Sequence, residues 1–254
     1  MRWAGADDAF LDRPAADALG RMVLGRYGGR VDAGARKNED AAFLLEGADW
    51  EFAVVADGHA GTDSSALAVA LLESDVDLSK LLSLPAPQAL PAVRTHLVEL
   101  LQGADTSHLT GETAVLAVAR KDRFVLWLSV GDCVAYALHP EVARLGQYAL
   151  NQRSFFEWFG RVDSLRLDVP CYASGVHALR PGRTRIALVT DGLLEFGNDR
   201  YADGARLHAD LYDGDLRDRV QKLMLAVHDG RGVDSATIVA WDVVAGDTPI
   251  RPSA

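Results

Sequence analysis

The sequence has few cysteines, no long apolar run and no excess of basic residues, and each shortage excludes a class of protein. Its two cysteines, Cys133 and Cys171, lie in no CxxC or Cys/His spacing, so we expect reduced thiols rather than a disulfide or a zinc site. No segment reaches the roughly eighteen consecutive apolar residues of a membrane-spanning helix. The N-terminus has no apolar stretch typical of a secretory signal. We therefore expect a cytoplasmic protein with no membrane partner.

The charge balance is acidic, with 36 Asp and Glu against 26 Lys and Arg and a net charge of −10. Proteins that bind nucleic acids usually carry a basic surface, so a nucleic-acid partner is not expected. The acid excess fits a protein that collects divalent cations, but most surface acids only keep a protein soluble. The chain has 254 residues, of which 49% are hydrophobic, which is enough for one large domain with its own core.

Short apolar runs bounded by glycine, aspartate or charged residues predict buried strands. These runs occupy residues 42–45, 52–56, 113–119, 124–130, 134–138, 186–190 and 236–241. Several are joined by links as short as residues 121–122 or 131–133. Links of that length allow hairpins but not helical crossovers, so the sheets should be mainly antiparallel.

Helical periodicity appears in three separate segments. Leucine and valine recur on one face between Leu90 and Leu101, and Asp215 is placed to cap a second helix. A third helix should begin near Thr62 or Asp63 and end near Glu73. Antiparallel strands beside separate helical blocks predict an α+β sandwich of sheets flanked by helices. Periodicity is weaker over about residues 139–182, which predicts a small inserted flap.

Acidic residues lie at or beside the ends of the predicted strands. They are Glu39, Asp40, Asp57, Asp132, Asp191 and Asp234. Taken alone, Asp57-Gly58 and Asp191-Gly192 are ordinary turn dipeptides. Together they suggest more, because carboxylates that converge at one sheet end repel each other and need cations. Oxygen ligands without thiolate suit Mg²⁺ or Mn²⁺, and a pair of such ions suits phosphoester hydrolysis.

Six segments, taken in order, resemble the protein phosphatase 2C family of metal-dependent serine/threonine phosphatases. They are RKNED (36–40), VVADGHAG (54–61), GETAVLAVA (111–119), VGDCVAYAL (130–138), ALVTDGL (187–193) and VDSATIVAW (233–241). The resemblance covers about residues 25–242 and is greatest to small stand-alone bacterial members. It implies a single catalytic domain over 1–254, built as a four-layer sandwich of two sheets flanked by helices. It also implies hydrolysis of phosphoserine or phosphothreonine on a protein substrate, by a metal-bridged hydroxide attacking phosphorus in line. A monomer is favoured.

The resemblance assigns two Mn²⁺ or Mg²⁺ ions to the strand ends. Asp57 would bridge both ions, and Gly58 would bind one of them through its backbone carbonyl. Glu39 would bind that same ion. Asp191 and Asp234 would hold the other ion. Each assignment is implied by the match to the family and awaits the tertiary structure.

Three further positions match functional residues of the family. Asp132 matches an acid that, with Asp191, holds a weaker third ion in some bacterial relatives. Asp40, beside Glu39, would orient bound water. His59 matches a candidate general acid, and histidine is a suitable residue type for protonating a serine or threonine alkoxide. The alternative for His59 is an exposed histidine in a turn.

The sequence departs from the family where the phosphate-binding arginine is expected. Ala35 occupies that position, so Arg36 is the candidate substitute. Lys37 is a weaker one because it cannot form a bidentate fork, and a solvated loop cation is the alternative for both. Ser235 replaces the usual asparagine after Asp234. These departures leave two other functions open, a phosphoprotein-binding pseudophosphatase and a small-molecule phosphomonoesterase.

The flap contains the aromatic segment NQRSFFEWFGR, residues 151–161. We expect its aromatic residues to lie on about one side of a helix; they are Phe155, Phe156, Trp158 and Phe159. Packing of the flap onto the body of the domain is the favoured interpretation. A docking surface for a substrate or partner is the alternative.

Overall fold

Residues 1–246 are described in a computed structural model, and positions 247–254 of the expected domain lie outside them. The strands are β1 (Arg2–Ala4), β2 (Ala15–Leu19), β3 (Met22–Tyr27), β4 (Ala41–Glu46), β5 (Trp50–His59), β6 (Glu112–Lys121), β7 (Phe124–Val130), β8 (Val134–Leu138), β9 (Phe159–Gly160), β10 (Ala173–Ala178), β11 (Gly182–Val189) and β12 (Ala236–Ala245). The α-helices are α1 (Asp63–Ser74), α2 (Leu78–Leu82), α3 (Ala86–Gln102), α4 (Pro140–Ala143), α5 (Asp191–Asp199), α6 (Gly204–Leu211) and α7 (Leu216–Asp229).

The strands form two antiparallel sheets. Within the described residues the first sheet has seven strands in the order β1-β4-β5-β6-β7-β10, with the short β9 paired to β6. The second sheet has five strands in the order β2-β3-β12-β11-β8. The tight link between β6 and β7 forms a hairpin, as the sequence predicts, whereas the equally short link between β7 and β8 connects the two sheets.

Three buried clusters separate four layers. Residues such as Leu116 of the first sheet and Trp241 of the second fill the space between the sheets. The outer face of the first sheet packs against α1, α2 and α3, and that of the second sheet packs against α5, α6 and α7. Both faces of both sheets are therefore covered, which explains why the strands are continuous apolar runs rather than alternating ones. The predicted α+β four-layer sandwich is confirmed.

The predicted helices are also confirmed. α1 begins at Asp63, and α3 includes the whole periodic stretch from Leu90 to Leu101. Asp215 caps α7, where its Oδ1 accepts a hydrogen bond of 3.0 Å from the backbone nitrogen of Asp218. No helix within residues 1–246 is both long and apolar enough to cross a bilayer.

The first two strands of the second sheet are missing from the sequence prediction. β3 is buried along its whole length, but Gly25 and Arg26 interrupt its apolar pattern. Arg26 is buried because its guanidinium pairs with Asp17 on the neighbouring strand β2. A charged residue at such a position has no local signal of burial, because its partner is set by strand pairing.

Residues 139–182 contain short elements, of which β9 and β10 pair with the first sheet, while residues 148–150 bond to β8 of the second. β10 forms the outer edge of the first sheet against β7, and β9 pairs with Glu112 and Thr113 of β6. The expected helix over residues 151–161 is wrong, because this segment is irregular and ends in β9. Its aromatic side chains consequently diverge: Phe159 is fully buried, whereas Phe156 is 92% exposed.

The clusters predict the effect of core truncation. Leu116 is fully buried between the sheets, so Leu116→Ala should lower the free energy of unfolding by about 2–5 kcal/mol through lost burial and a residual cavity. The same substitution at Leu145, which is 75% exposed, should change it by less than about 0.5 kcal/mol. Urea denaturation followed by circular dichroism measures both, and equal effects would contradict the layer assignment.

Candidate metal centre

Sheet topology brings the acidic segments to one end of the sandwich. β5 and β7 both run antiparallel to β6, so they end at the same edge of the first sheet, where β4 begins. The acids at this edge are Glu39 and Asp40 before β4, Asp57 near the end of β5, and Asp132 after β7. In the second sheet, β11 ends opposite the start of β12, which places Asp191 near Asp234.

Two glycines allow these segments to touch through their backbones. A Cβ atom on Gly58 would lie 2.5 Å from the carbonyl oxygen of Glu39, and one on Gly192 would lie 1.9 Å from that of Ser235. Any larger residue would therefore push the segments apart. The backbone nitrogen of Glu39 also donates a hydrogen bond of 3.3 Å to the hydroxyl of Ser235, which links the two sheets.

Thr190 fixes Asp40 between the sheets. Its hydroxyl donates to Asp40 Oδ2 at 2.9 Å and accepts from the backbone nitrogen of Thr237 at 2.9 Å. The other carboxylate oxygen, Asp40 Oδ1, is buried without a hydrogen-bond partner. A buried carboxylate oxygen left unpaired is costly, so this atom indicates a position where water or a cation is needed.

The carboxylates raise each other's pKa. Burial, followed by repulsion from Asp40, Asp191 and Asp234, raises the pKa of Asp57 well above its usual range. Burial and the Asp234 carboxylate raise the pKa of Asp191 to about 6. Burial likewise raises the pKa of Asp40. The pKa of Asp234 is raised by desolvation and by Glu39, although this residue is exposed at the surface.

These acids fit a hard divalent ion in chemistry but do not yet enclose one. No group of three or more His, Cys, Asp or Glu side chains within residues 1–246 is arranged to hold a metal ion. The donor set consists of carboxylates, and Asp191 Oδ1, like Asp40 Oδ1, is buried without a hydrogen-bond partner. Crowded carboxylates with free oxygens are the donors that Mg²⁺ and Mn²⁺ prefer. The cluster therefore fits such ions in the chemistry of its donors.

Two cations border the cluster beside Glu39. A cavity of about 500 Å³ is lined by Arg36, Lys37, Glu39 and Asp234 together with neighbouring small residues. The Lys37 ammonium lies 2.7 Å from Glu39 Oε1. The Arg36 guanidinium instead donates to the backbone oxygens of Val31 at 3.1 Å and Ala35 at 2.8 Å. Of the two candidate phosphate-binding residues, Lys37 is thus the one that contacts an acid of the cluster.

His59 contacts the aromatic segment. It is the last residue of β5 and is exposed, and its ring stacks on Trp158 with centroids 5.5 Å apart and an interplanar angle of 27°. The stacking fixes one face of the imidazole at the surface, two residues beyond Asp57. The segment that the sequence indicates for packing or docking therefore reaches the candidate site.

Two residues of the site are absent from the sequence prediction, Arg153 and Glu195. Arg153 Nη2 donates to Asp132 Oδ2 at 3.0 Å and to Glu195 Oε1 at 2.6 Å. Glu195 had a usable local signal, because it follows Asp191 by four residues on α5 and so lies on the same helix face. Arg153 had none, because its partners are distant in sequence.

Comparison with known proteins identifies the fold. No family model matches the sequence, and no curated protein matches it. Solved structures do match. A bacterial serine phosphatase variant is 19% identical with a TM-score of 0.65, and the match covers 89% of this chain and 100% of that one. The catalytic domain of the serine/threonine phosphatase PstP, solved with two manganese ions, is 19% identical with a TM-score of 0.62, over 88% of this chain and 98% of that one.

A third match is the PPM Ser-Thr phosphatase MsPP from Mycobacterium smegmatis, solved with cacodylate. It is 18% identical with a TM-score of 0.57, and the match covers 91% of this chain and 100% of that one. The chain therefore has the fold of bacterial PPM-type serine/threonine phosphatases over nearly its whole length. The family resemblance inferred from the sequence is confirmed at the level of the fold.

Mutual repulsion predicts that one acid can be neutralised with a gain in stability. In EDTA, Asp57→Asn should raise the free energy of unfolding by about 1 kcal/mol, because it removes a charge from the crowded cluster and keeps an oxygen for the Asp191 backbone nitrogen. Added Mn²⁺ should raise the melting temperature of the wild type and much less that of the variant.

The control is Asp168→Asn, an exposed acid far along the chain from these strand ends. It should match the wild type in EDTA and in Mn²⁺. Differential scanning fluorimetry and urea denaturation provide both measurements. An Asp57→Asn protein that is less stable in EDTA and equally stabilised by Mn²⁺ would contradict the cluster as a cation site.

Proposed function

We propose that this chain is a Mg²⁺- or Mn²⁺-dependent phosphatase that hydrolyses phosphoserine and phosphothreonine on proteins. The observation that carries the proposal is the set of desolvated, mutually repelling carboxylates at the shared end of two sheets, in a chain with this fold. The structural neighbours are serine/threonine phosphatases, and one of them was solved with two manganese ions.

The ligands follow from where each segment lies. Burial and repulsion from acids of both sheets raise the pKa of Asp57, which supports a role for its carboxylate in holding both ions. The Gly58 carbonyl and the Glu39 carboxylate would complete the set of ligands around one ion, since the backbones of these residues are in close contact. Asp191 and Asp234 would hold the other. When bound, the ions supply Lewis acidity that activates water near neutral pH and neutralises phosphoryl oxygens.

Asp40 is suited to orient the attacking water. Thr190 holds one of its carboxylate oxygens, so the buried Oδ1 is left to accept a hydrogen bond from water. One oxygen of this carboxylate is fixed and the other is free to accept a hydrogen bond from water. That bond would restrict the direction in which the lone pair of the water points. This is a positioning role, and it would align the water with the phosphorus–oxygen bond that breaks.

The substrate phosphate would meet the cations beside Glu39. Arg36 is the candidate for a bidentate grip, and its side chain is exposed and bonded only to backbone oxygens that water can replace. His59 is the candidate proton donor to the leaving serine or threonine oxygen. Its stacking on Trp158 would limit rotation of the ring while the proton moves.

A phosphoprotein-binding module without turnover is the second candidate function. The observation that favours it is Ala35, which is buried where the resemblance places a phosphate-binding arginine. Loss of that grip would weaken catalysis more than fold or metal binding. A small-molecule phosphomonoesterase uses the same metal chemistry and is separated from the other two by substrate choice.

Turnover of para-nitrophenyl phosphate and of phosphoserine and phosphothreonine peptides tests the proposal. The wild type should release phosphate from both substrates with Mn²⁺ or Mg²⁺ and lose this activity in EDTA. Asp57→Asn should lower kcat/KM by at least about 10²-fold, because a shared charge on both ions is removed. Asp168→Asn is the matched control and should retain full activity.

Three other results would contradict the proposal, each in a different way. Metal-dependent turnover of para-nitrophenyl phosphate with none of any phosphopeptide would favour the small-molecule enzyme. No turnover of either substrate, with measurable binding of phosphopeptides, would favour the binding module. Equal turnover by the wild type and Asp57→Asn would show that the activity does not come from this site.

Leaving-group dependence tests the role of His59. His59→Gln should lower kcat on phosphoserine peptides by about 10²-fold, because an alkoxide leaves slowly without a proton donor. The same variant should change kcat on para-nitrophenyl phosphate by less than about threefold, because nitrophenolate leaves readily unprotonated. Equal losses on both substrates would instead assign His59 to structure or to binding.

A further inference from the structure

Some of the acids at this end of the sandwich are paired with a cation that the protein itself supplies. One nitrogen of the Arg153 guanidinium, Nη2, lies 3.0 Å from Asp132 Oδ2, 2.6 Å from Glu195 Oε1 and 3.8 Å from Asp191 Oδ2. In contrast, within residues 1–246 no lysine, arginine or histidine nitrogen lies within 4.0 Å of a carboxylate oxygen of Asp40, Asp57 or Asp234. Arg153 therefore supplies a cation to one part of the cluster and Lys37 contacts Glu39, whereas these three acids have no cation of residues 1–246 within that distance.

Arg153 is held in place from both sides along the chain. Asn151 is buried, with its side-chain oxygen accepting from the backbone nitrogen of Ala135 at 2.8 Å and its amide donating to the carbonyl of Cys133 at 2.8 Å. The backbone nitrogen of Ser154 donates to the carbonyl of Gly131 at 3.1 Å. These bonds attach residues 151–154 to the turn that carries Asp132. The backbone therefore holds the guanidinium next to that carboxylate.

The guanidinium is also covered. Its central carbon lies 4.7 Å from the centre of the Phe155 ring, and the Arg153 side chain is only 21% exposed. An arginine that is anchored on both sides, stacked on an aromatic ring and shared by three carboxylates differs from a mobile surface cation. Its position is part of the site.

We propose that Arg153 is a fixed internal cation that occupies the Asp132 side of the site, so that Asp132 binds no divalent ion while Arg153 is in place. This inference rests on the proposed metal-dependent function. The atoms that Arg153 contacts, Asp132 Oδ2 and Asp191 Oδ2, are those that an ion held between these two acids would need. Like charges also repel, which further disfavours an ion beside the guanidinium.

With Arg153 in place, divalent ions would bind only on the side of the site formed by Glu39, Asp57, Asp191 and Asp234. Arg153 also gives the aromatic segment a function, because it attaches residues 151–161 to Asp132 while Trp158 attaches the same segment to His59. Arg153 is in this sense a positioning residue for the segment. Its charge takes the place of an ion that would otherwise have to be drawn from solution.

Counting bound Mn²⁺ tests the inference. Equilibrium dialysis against free Mn²⁺ up to a few millimolar, with metal analysis of the protein, gives the number of ions per folded chain. Arg153→Gln should bind one more Mn²⁺ than the wild type, because it frees Asp132 and Asp191 oxygens. Arg153→Lys, which retains a charge, should match the wild-type number. The double variant Arg153→Gln with Asp132→Asn should return to it.

A second measurement does not need any change at Arg153. Asp132→Asn alone should bind as many Mn²⁺ ions as the wild type, because Asp132 is paired to Arg153 rather than to a metal. Circular dichroism in EDTA verifies that each protein is folded before its ions are counted. Loss of one ion in Asp132→Asn, or an unchanged count in folded Arg153→Gln, would overturn the inference.

These outcomes stay separate from those of the proposed function. The inference depends on the difference in Mn²⁺ count between wild type and variants. The proposed function depends on the count and the turnover of the wild type itself. A wild type that binds Mn²⁺ and hydrolyses phosphopeptides, with no extra ion in Arg153→Gln, would keep the function and reject the role of Arg153.

Discussion

Repulsion between desolvated carboxylates at the shared end of two sheets is the constraint on which the candidate site depends. Asp40, Asp57, Asp191 and Asp234 come from both sheets, and each has a pKa raised first by burial and then by repulsion from nearby acids. Such a cluster is unfavourable for folding on its own. Bound cations would offset this cost, so the same charges that cost stability would create an affinity for metal.

The sandwich supplies the rigidity that holds these charges together. Leu116, Trp241 and their neighbours fill the layer between the sheets, so the strand ends cannot move apart without opening the core. Bonds across the sheets fix the local geometry, since Thr190 holds Asp40 and Ser235 accepts from the backbone of Glu39. The close contacts at Gly58 and Gly192 allow this approach.

The repulsion between these carboxylates can be reduced by a cation of the protein or by a cation from solution. On the Asp132 side the chain supplies its own cation, Arg153, which three carboxylates share. On the Asp57 side the buried oxygens Asp40 Oδ1 and Asp191 Oδ1 have no hydrogen-bond partner among residues 1–246 and fit cations from solution. The aromatic segment connects both sides through Arg153 and Trp158. Charge supplied by the protein positions a segment, whereas charge supplied by a bound metal would be available for chemistry.

Local pattern alone predicted the elements whose signals are local. Apolar runs predicted seven strands, β4 to β8, β11 and β12, but not β9 or β10. Helical periodicity predicted α1, α3 and α7, and short links predicted antiparallel pairing. The placement of acids at strand ends also followed from the sequence, and their order pointed to the fold that structural comparison then identified. Periodicity is sufficient for these features because burial repeats along each strand or helix.

The tertiary structure alone decided which side chains meet. It set the irregular path of residues 151–161, the contact of Lys37 rather than Arg36 with Glu39, and the sharing of Arg153 by Asp132 and Glu195. Arg153 lies 21 residues from Asp132 and 42 from Glu195 in sequence. Contacts at such separations depend on how the sheets pair and pack, and no periodic pattern in the sequence records that. The sequence by itself determined where the charges are, and the packing of the two sheets determined which charges share a cation.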